Sequence, residues 1–491
     1  MLRKIRTILA AVVFILITLL FLDFTGTLHH WLSWLAKIQF LPAVMALNVV
    51  VVVALLLLTL VFGRIYCSVI CPLGVFQDIL ARFRRKKNKY SYSKEVKWVR
   101  YPVLVVFIIA AVAGIGSLFQ LLAPYSAYGR IATMIFQPIW KFGNNVLAEI
   151  AARADSYAFY TVDTWMRSLP VLIIAAVTLV VLFVLAWRGG RTYCNTICPV
   201  GTILSFFARF SWLKIHFDED KCKNCSMCSK NCKAACIDYK NHTVDYSRCV
   251  VCGNCIESCK FGALKYSSRA SKSRGSSEAS PVDTSKRSFL LASAMVAGAA
   301  MAQKKDKLMD GGLAELEDKV APARQTPLTP PGSLSFQHFA QRCTGCQLCV
   351  SECPNEVLRP SSDLMHLMLP VMSYERGHCR PECTRCSEVC PAGAFMKIDK
   401  DEKSSIQIGH AVWIKKNCVP ITDEVECGNC ARHCPTGAIE MVPLDENDEE
   451  SPMIPAINEA ACIGCGACEY VCPSRPFSAI YVEGHEVHKK I

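Results

Sequence analysis

The chain has 491 residues, of which 52% are hydrophobic, a formal net charge of +13, and 29 cysteines. That length allows two to four domains, and the apolar fraction exceeds what a purely water-soluble protein carries. The basic residues gather beside apolar runs, as between Arg82 and Arg100, which argues against a nucleic-acid surface; the cysteine spacing excludes a disulfide scaffold.

Met1 to Arg6 is short and basic, and Ile8 to Leu22 is almost wholly apolar, the pattern of a signal peptide core or a first spanning helix. No small-residue cleavage site follows, which favours the helix. Asp23, Gly26, His29, His30 and the aromatic segment from Trp31 to Phe40 then suit an interfacial belt. Leu41 to Phe62 is long enough to span a bilayer and ends on Gly63-Arg64-Ile65-Tyr66-Cys67-Ser68-Val69-Ile70-Cys71-Pro72-Leu73-Gly74.

This motif returns 127 positions on, as Gly190-Arg191-Thr192-Tyr193-Cys194-Asn195-Thr196-Ile197-Cys198-Pro199-Val200-Gly201, again closing an apolar run, so the membrane part is expected to be a repeat. If helical, Cys67 and Cys71 share one face, as do Cys194 and Cys198, with Pro72 and Pro199 marking a helix end or kink. Four thiols then converge on one centre, or pack two symmetric helices. Arg64 and Arg191 flank them, either to lower their pKa or to anchor helices at lipid headgroups.

Arg82, Arg84, Arg85, Lys86, Lys87 and Lys89 place the first motif on the cytoplasmic side. Tyr101 to Leu122 leads outward, residues 124 to 168 form an external loop with interfacial helices, and Leu169 to Trp187 returns the second motif to the first side.

Cys222, Cys225, Cys228 and Cys232, then Cys249, Cys252, Cys255 and Cys259, repeat the spacing with which bacterial ferredoxins hold [4Fe-4S] clusters, three cysteines from one loop and the fourth from the partner run. Isolated Cys-x2-Cys pairs leave zinc competitive; two full quartets favour iron and sulfide. The usual proline after the fourth cysteine is replaced by Lys233 and Lys260, and Cys236 competes with Cys232 as a ligand.

Residues 267–284 are a Ser-, Arg- and Lys-rich linker. Residues 285–302, with Lys286-Arg287 before an apolar stretch ending Ala300-Met301-Ala302, read as an internal twin-arginine-like export signal, and 303–332 as a second linker. Four more quartets follow in 333–491: Cys343, Cys346, Cys349 and Cys353; Cys379, Cys383, Cys386 and Cys390; Cys418, Cys427, Cys430 and Cys434; Cys462, Cys465, Cys468 and Cys472. Spacing leaves open whether they pair first with second and third with fourth, or as an outer pair enclosing an inner one.

On these motifs, residues 1–266 resemble the membrane ferredoxin subunit of the quinol dehydrogenase of periplasmic nitrate reductase, and residues 285–491 resemble its exported four-cluster partner, a family shared with a methylamine-utilisation ferredoxin. The resemblance implies a quinol-linked electron conduit, the oxidoreductase component of a quinol dehydrogenase, without fixing its terminal acceptor. Related membrane modules handle cupric ion, so a metal-handling assembly factor is the alternative.

The expected architecture is a polytopic α-helical membrane domain (1–213) with α+β polyferredoxin domains at 214–266 and 333–491. The expected cofactors are six [4Fe-4S] clusters, with quinol as membrane substrate and a further centre at the paired thiols. The expected partners are the quinone pool and a terminal reductase or carrier, with no nucleic acid. The expected location is a bacterial inner membrane, the two-cluster domain cytoplasmic and the four-cluster domain periplasmic. Asp23 with His29 or His30 is a candidate acceptor of quinol protons.

Overall fold

The computed structural model describes residues 2–84, 90–156, 158–268, 319–445 and 451–491. The basic block from 85 to 89, the linker core and the Lys286-Arg287 segment lie outside the described residues.

The first region is helical: α1 (Leu2–Leu22), α2 (Thr27–Lys37), α3 (Phe40–Met45), α4 (Val49–Phe62), α5 (Tyr66–Val69), α6 (Pro72–Leu80), α7 (Lys97–Val112), α8 (Gly116–Leu122), α9 (Pro124–Ile131), α10 (Gln137–Arg153), α11 (Leu169–Gly189), α12 (Thr192–Thr196) and α13 (Pro199–Ala208). A π-helical turn, Ala132–Phe136, joins α9 to α10. Of these, α1 and α11 are long and apolar enough to cross a membrane, each 21 residues, or about 32 Å at 1.5 Å per residue.

The other two expected spans are each divided. Residues 41–62 break between α3 and α4, where Leu47 takes a positive φ of 54° and Asn48 caps α4 by accepting from the Val51 amide at 3.2 Å. Residues 101–122 break between α7 and α8, where Gly114 has a φ of 72°. The segment expected to lie at the interface is also different: α9 is buried throughout, with Tyr128 and Arg130 fully enclosed, because the Tyr128 hydroxyl bonds with Thr18 and Arg130 donates to the Gln120 carbonyl. Exposed aliphatic side chains nevertheless ring the region, including Ile8 and Val12 on α1, Val50 and Leu57 on α4, Ile109 on α7, and Val177 and Val180 on α11.

The four long segments alternate in direction between the two ferredoxin parts. Arg3, starting α1, packs on Gly253, while Gly26 beyond its end meets Arg385. Ala46 before α4 packs on Gly393, and Gly63 after it on Val251. Arg100 in α7 donates to the Ser247 carbonyl at 3.4 Å, and Gly116 in α8 approaches the Ala340 carbonyl. Val171 in α11 clusters with Met368, and Arg191 beyond its end donates its amide to the Lys233 carbonyl at 2.8 Å.

The inner ferredoxin part pairs β1 (Leu213–Phe217) with β4 (Leu264–Ser268) antiparallel, Leu213 opposite Ser268, and β2 (Ile237–Asp238) with β3 (Thr243–Val244). Its short helices, α14 (Met227–Lys230) and α15 (Asn254–Ser258), each follow a cysteine loop. The outer part contains α16 (Phe336–Arg342), α17 (Leu348–Glu352), β5 (Leu358–Pro360), β6 (Pro370–Met372), α18 (Arg385–Val389), α19 (Lys400–Ser404), β7 (Ile406–Trp413), α20 (Val419–Thr422), α21 (Asn429–Arg432), β8 (Ile439–Pro443), β9 (Met453–Ile457), α22 (Ala467–Val471) and β10 (Ile480–Lys490). Strands pair antiparallel as β5–β6, β7–β10 and β8–β9. One apolar core runs without a break from Ile17, Leu20 and Phe21 of α1 to Phe339, Leu348 and Ile408 of the outer part.

Candidate redox centres

In the inner part, Cys222, Cys225 and Cys228 line one hollow with Cys259, the fourth cysteine of the other run. Cys249, Cys252 and Cys255 line another with both Cys232 and Cys236. The crossover is the one that two-cluster ferredoxins use. The Cys232 and Cys236 sulfurs lie 3.5 Å apart. The Cys236 thiol, donating to Cys232, pulls the latter's pKa down to about 7, against burial, while Cys236 is pushed up. Cys232 is therefore the thiol poised to ligate.

The outer quartets pair first with second and third with fourth. Cys353 closes the hollow of Cys379, Cys383 and Cys386, and Cys390 faces Cys343, Cys346 and Cys349. Cys472 faces Cys418 and Cys430, and Cys434 faces Cys462, Cys465 and Cys468's loop. Short helices α17 and α18 deliver both the third cysteine of one set and the fourth of the other, so the two sets of a pair sit side by side.

These sets fit [4Fe-4S] clusters. Backbone amides already point at sulfurs: Ala263 to Cys259, Ala438 to Cys434 and Ala479 to Cys472, each at 3.3 Å. Such bonds stabilise charge on cluster thiolates and tune potential. Burial pushes Cys228 and Cys430 up to about 11, and Cys346 and Cys465 up to about 12, so these thiols ionise only where a cation compensates them.

The sets form an order in space. The Cys343 set lies against the helical region: Gln120 Nε2 donates to the Cys343 carbonyl at 3.2 Å, and Ser126 to the Thr344 carbonyl. The Cys379 set is joined to the Cys462 set by the Cys379 amide, which donates to the Cys465 carbonyl at 2.9 Å. The Cys249 set is the inner one that abuts the helices, since Cys252 and Val250 belong to the helical core.

Cys67, Cys71, Cys194 and Cys198 are all buried and electrostatically coupled to one another at the inner end of α4 and α11. They do not share helix faces as expected. Cys67 sits in the single turn α5 and Cys71 precedes α6, because Pro72 occupies the first helical position; Cys194 and Cys198 repeat this around Pro199. Gly74 and Gly201 let each α6-type helix touch its own cysteine turn: an added Cβ would stand 2.2 Å from the Cys67 carbonyl oxygen and 2.3 Å from that of Cys194.

Arg64 and Arg191 are fully buried, so neither anchors at headgroups. Arg64 Nη1 donates to Asn195 Oδ1 and the Ser247 carbonyl, both at 2.9 Å, and its Nη2 faces Cys67 Sγ at 3.9 Å. Arg191 pairs with Asp78 at 2.9 Å, and Asp78 also meets Arg6 at 3.2 Å and Lys233 at 3.4 Å. Burial opposes ionisation of Asp78, but Arg191, Lys233 and Arg6 outweigh it and hold the carboxyl well below the usual range. Asp78 and Gln77, whose Nε2 donates to Cys194 Sγ at 3.2 Å, were not singled out from sequence, and Lys233 was noted only as the replacement of a proline. The signal for Asp78 was a lone acid beside an apolar repeat.

Asp23 is a cap in this structure. Its carboxylate accepts from the amides of Thr25, Gly26 and Leu28 at 2.9, 3.0 and 2.8 Å, and from Thr25 Oγ1 at 2.7 Å. His29 is buried with Nδ1 3.5 Å from Glu352 Oε1, and His30 lies beside the exposed Trp31. Asp23 and His29 both bear on the Glu352 carboxyl of α17, whereas His30 packs edge-on against Trp31.

A 4Fe-4S binding domain family matches residues 44–90 and 169–218, the two halves of the helical repeat; 4Fe-4S dicluster domain families match 245–357 and 425–475. The chain is 32% identical over 166 residues to the methylamine utilization ferredoxin-type protein MauM of Methylobacillus flagellatus, covering 33% of this chain and 70% of that protein. It is 33% identical over 168 residues to MauM of Paracoccus denitrificans, with 33% and 73% covered. It is 28% identical over 177 residues to the ferredoxin-type protein NapG of Escherichia coli, with 33% and 75% covered. No solved structure matches.

Proposed function

Because the chain belongs to the ferredoxin-type family of MauM and is an iron–sulfur electron-transfer protein, we propose that it is a multi-pass membrane conduit taking electrons from quinol to a terminal reductase or carrier. The observation that carries this reading is the contact of the two ferredoxin parts with opposite ends of the same four helical segments. Exposed aliphatic side chains on all four support lipid as their surroundings, since water would not be faced by so continuous an apolar belt.

A [4Fe-4S] cluster in each set supplies one-electron transfer without making or breaking a substrate bond. The protein's own part is spacing and insulation. The Cys249 and Cys343 loops are buried while Cys225 of the Cys222 set is exposed, the amides named above point at sulfurs, and the shared helices α17 and α18 hold neighbouring sets side by side. The thiol quartet of Cys67, Cys71, Cys194 and Cys198 stands between the inner ferredoxin part and α9, whose Ser126 and Gly129 touch the Cys343 loop. Arg130, next to Gly129 in α9, is electrostatically linked to Tyr193 of the thiol site.

Protease access in intact spheroplasts, with antibodies to each ferredoxin part, tests the membrane arrangement. The proposal expects the outer part to be cleaved and the inner part protected; protection of both parts would contradict it.

A further inference from the structure

A cavity of about 250 Å³ opens where the π-helical turn, the start of α10 and residues 164–167 meet the outer ferredoxin part. Met134, Pro138, Trp165 and Leu172 give it apolar walls. Its polar groups are few and placed: Lys141 Nζ pairs with Glu356 Oε1 at 2.8 Å, and Arg167 donates to Gln137 Oε1 at 2.9 Å. Thr133 Oγ1 and Trp165 Nε1 are buried with no hydrogen-bond partner. A buried donor left unpaired costs about 1–3 kcal/mol, so two of them at one hollow point to a ligand that accepts from both.

The chemistry narrows the ligand. Apolar walls beside lipid-facing α10, whose Ile139, Trp140 and Phe142 are exposed, suit a flat ring with an aliphatic tail. Two free donors suit ring oxygens. Glu356 opposes an anion, and both cations are already engaged. A π-helical turn, a feature that recurs at functional sites, shapes the wall. Glu356 also connects the cavity to a redox set: its amide donates to the Cys353 carbonyl at 3.3 Å, and Cys353 is the fourth thiol of the Cys379 set.

We propose that this cavity is the site where the ring of a membrane quinol binds and is oxidised, with Thr133 and Trp165 donating to its oxygens. The proposal rests on the quinol reading above and moves the site away from Asp23, His29 and His30. In the balanced step, quinol loses two O–H protons and two electrons and becomes quinone. The two protons pass to water at the cavity mouth. The two electrons would pass singly to two oxidised [4Fe-4S] clusters of the outer part, the first being the one that Cys353, Cys379, Cys383 and Cys386 would hold.

The test uses holoprotein in lipid nanodiscs with an azido-quinone photoprobe, peptide mapping, and decylubiquinol as reductant. Label is expected within residues 133–141 or 164–172. Trp165→Phe and Thr133→Val should each weaken decylubiquinone binding about tenfold, the effect of one lost hydrogen bond. Both variants should slow cluster reduction by subsaturating decylubiquinol about tenfold and leave reduction by dithionite unchanged. If quinol reduces the unaltered protein but label falls elsewhere, or both variants bind decylubiquinone as tightly as the unaltered protein, this site is wrong and the conduit stands. If quinol reduces no cluster in the unaltered protein, the conduit reading itself fails.

Discussion

Arg64 of the first repeat donates from Nη2 to the carbonyl oxygen of Cys194 in the second, at 3.1 Å, and Arg191 returns the bond to the carbonyl of Cys67. Each arginine thus braces the cysteine turn of the other copy, which explains why the motif carries Arg and Cys together. The brace is local and internal, so the two halves hold each other's thiols in place.

Asp78 is the counter-charge of this brace, and its removal would leave Arg191, Arg6 and Lys233 buried without their anion. Asp78→Asn should cost about 3–5 kcal/mol, the penalty for breaking a buried ion pair from one side. The expected readout is a lower thermal midpoint in detergent and a lower level of intact protein in the membrane. An unchanged midpoint would show that the charge cluster is not holding the repeat.

Cys232, whose thiol is held low, is the expected fourth ligand of the Cys249 set, and Cys236 lines the same hollow beside it. Cys236→Ser should keep all six clusters, roughly 24 irons at four per set. Cys232→Ser leaves the Cys236 sulfur, 3.5 Å from the native one, free to replace it. That variant should hold its iron with an altered EPR line shape, and only the double variant should lose about four irons. Full loss in Cys236→Ser alone would reverse the assignment.

The crossover of outer ligands gives a prediction that sequence spacing does not. Cys390→Ser should disturb the cluster of Cys343, Cys346 and Cys349, and Cys353→Ser that of Cys379, Cys383 and Cys386. Mössbauer or EPR spectra of the two variants should therefore lose different signals, each matched by the loops named.

How far the sequence carried can be seen in the same residues. Quartet spacing was enough to anticipate which cysteines share a loop, because a tight three-cysteine loop leaves little freedom in sequence. Pairing was not legible, since it depends on where α17 and α18 stand in space. Proline after Cys71 and Cys198 did signal a helix boundary, but it also starts the next helix, which turned an expected shared face into two turns. Leu41 to Phe62 read as one span because hydropathy does not register the cap at Asn48. Asp23 looked functional as an acid at an apolar helix end, yet four short-range donors claim it. The cavity beside Glu356 draws on residues more than 200 positions apart, and no local pattern announces it.

Iron removal carries a pH sign. In the apoprotein, burial raises Cys346 and Cys465 to about 12, above the ordinary thiol value. Those groups favour the folded apoprotein at pH below the unfolded thiol value, and that contribution is lost as pH rises toward 12. Iron binding must displace the same protons, so apparent iron affinity should fall as pH falls. Chelator titration followed by circular dichroism should show the outer part losing structure with its iron, and doing so at lower chelator concentration at about pH 6 than at about pH 8.

The central claim is that quinol electrons enter this chain and reach its clusters. Holoprotein in lipid nanodiscs, mixed anaerobically with decylubiquinol and frozen at intervals, can be read by EPR against a dithionite-reduced reference. The account predicts reduced-cluster signals with quinol alone, lost in Cys353→Ser and present in Cys222→Ser. Signals that appear with dithionite and never with quinol would contradict it.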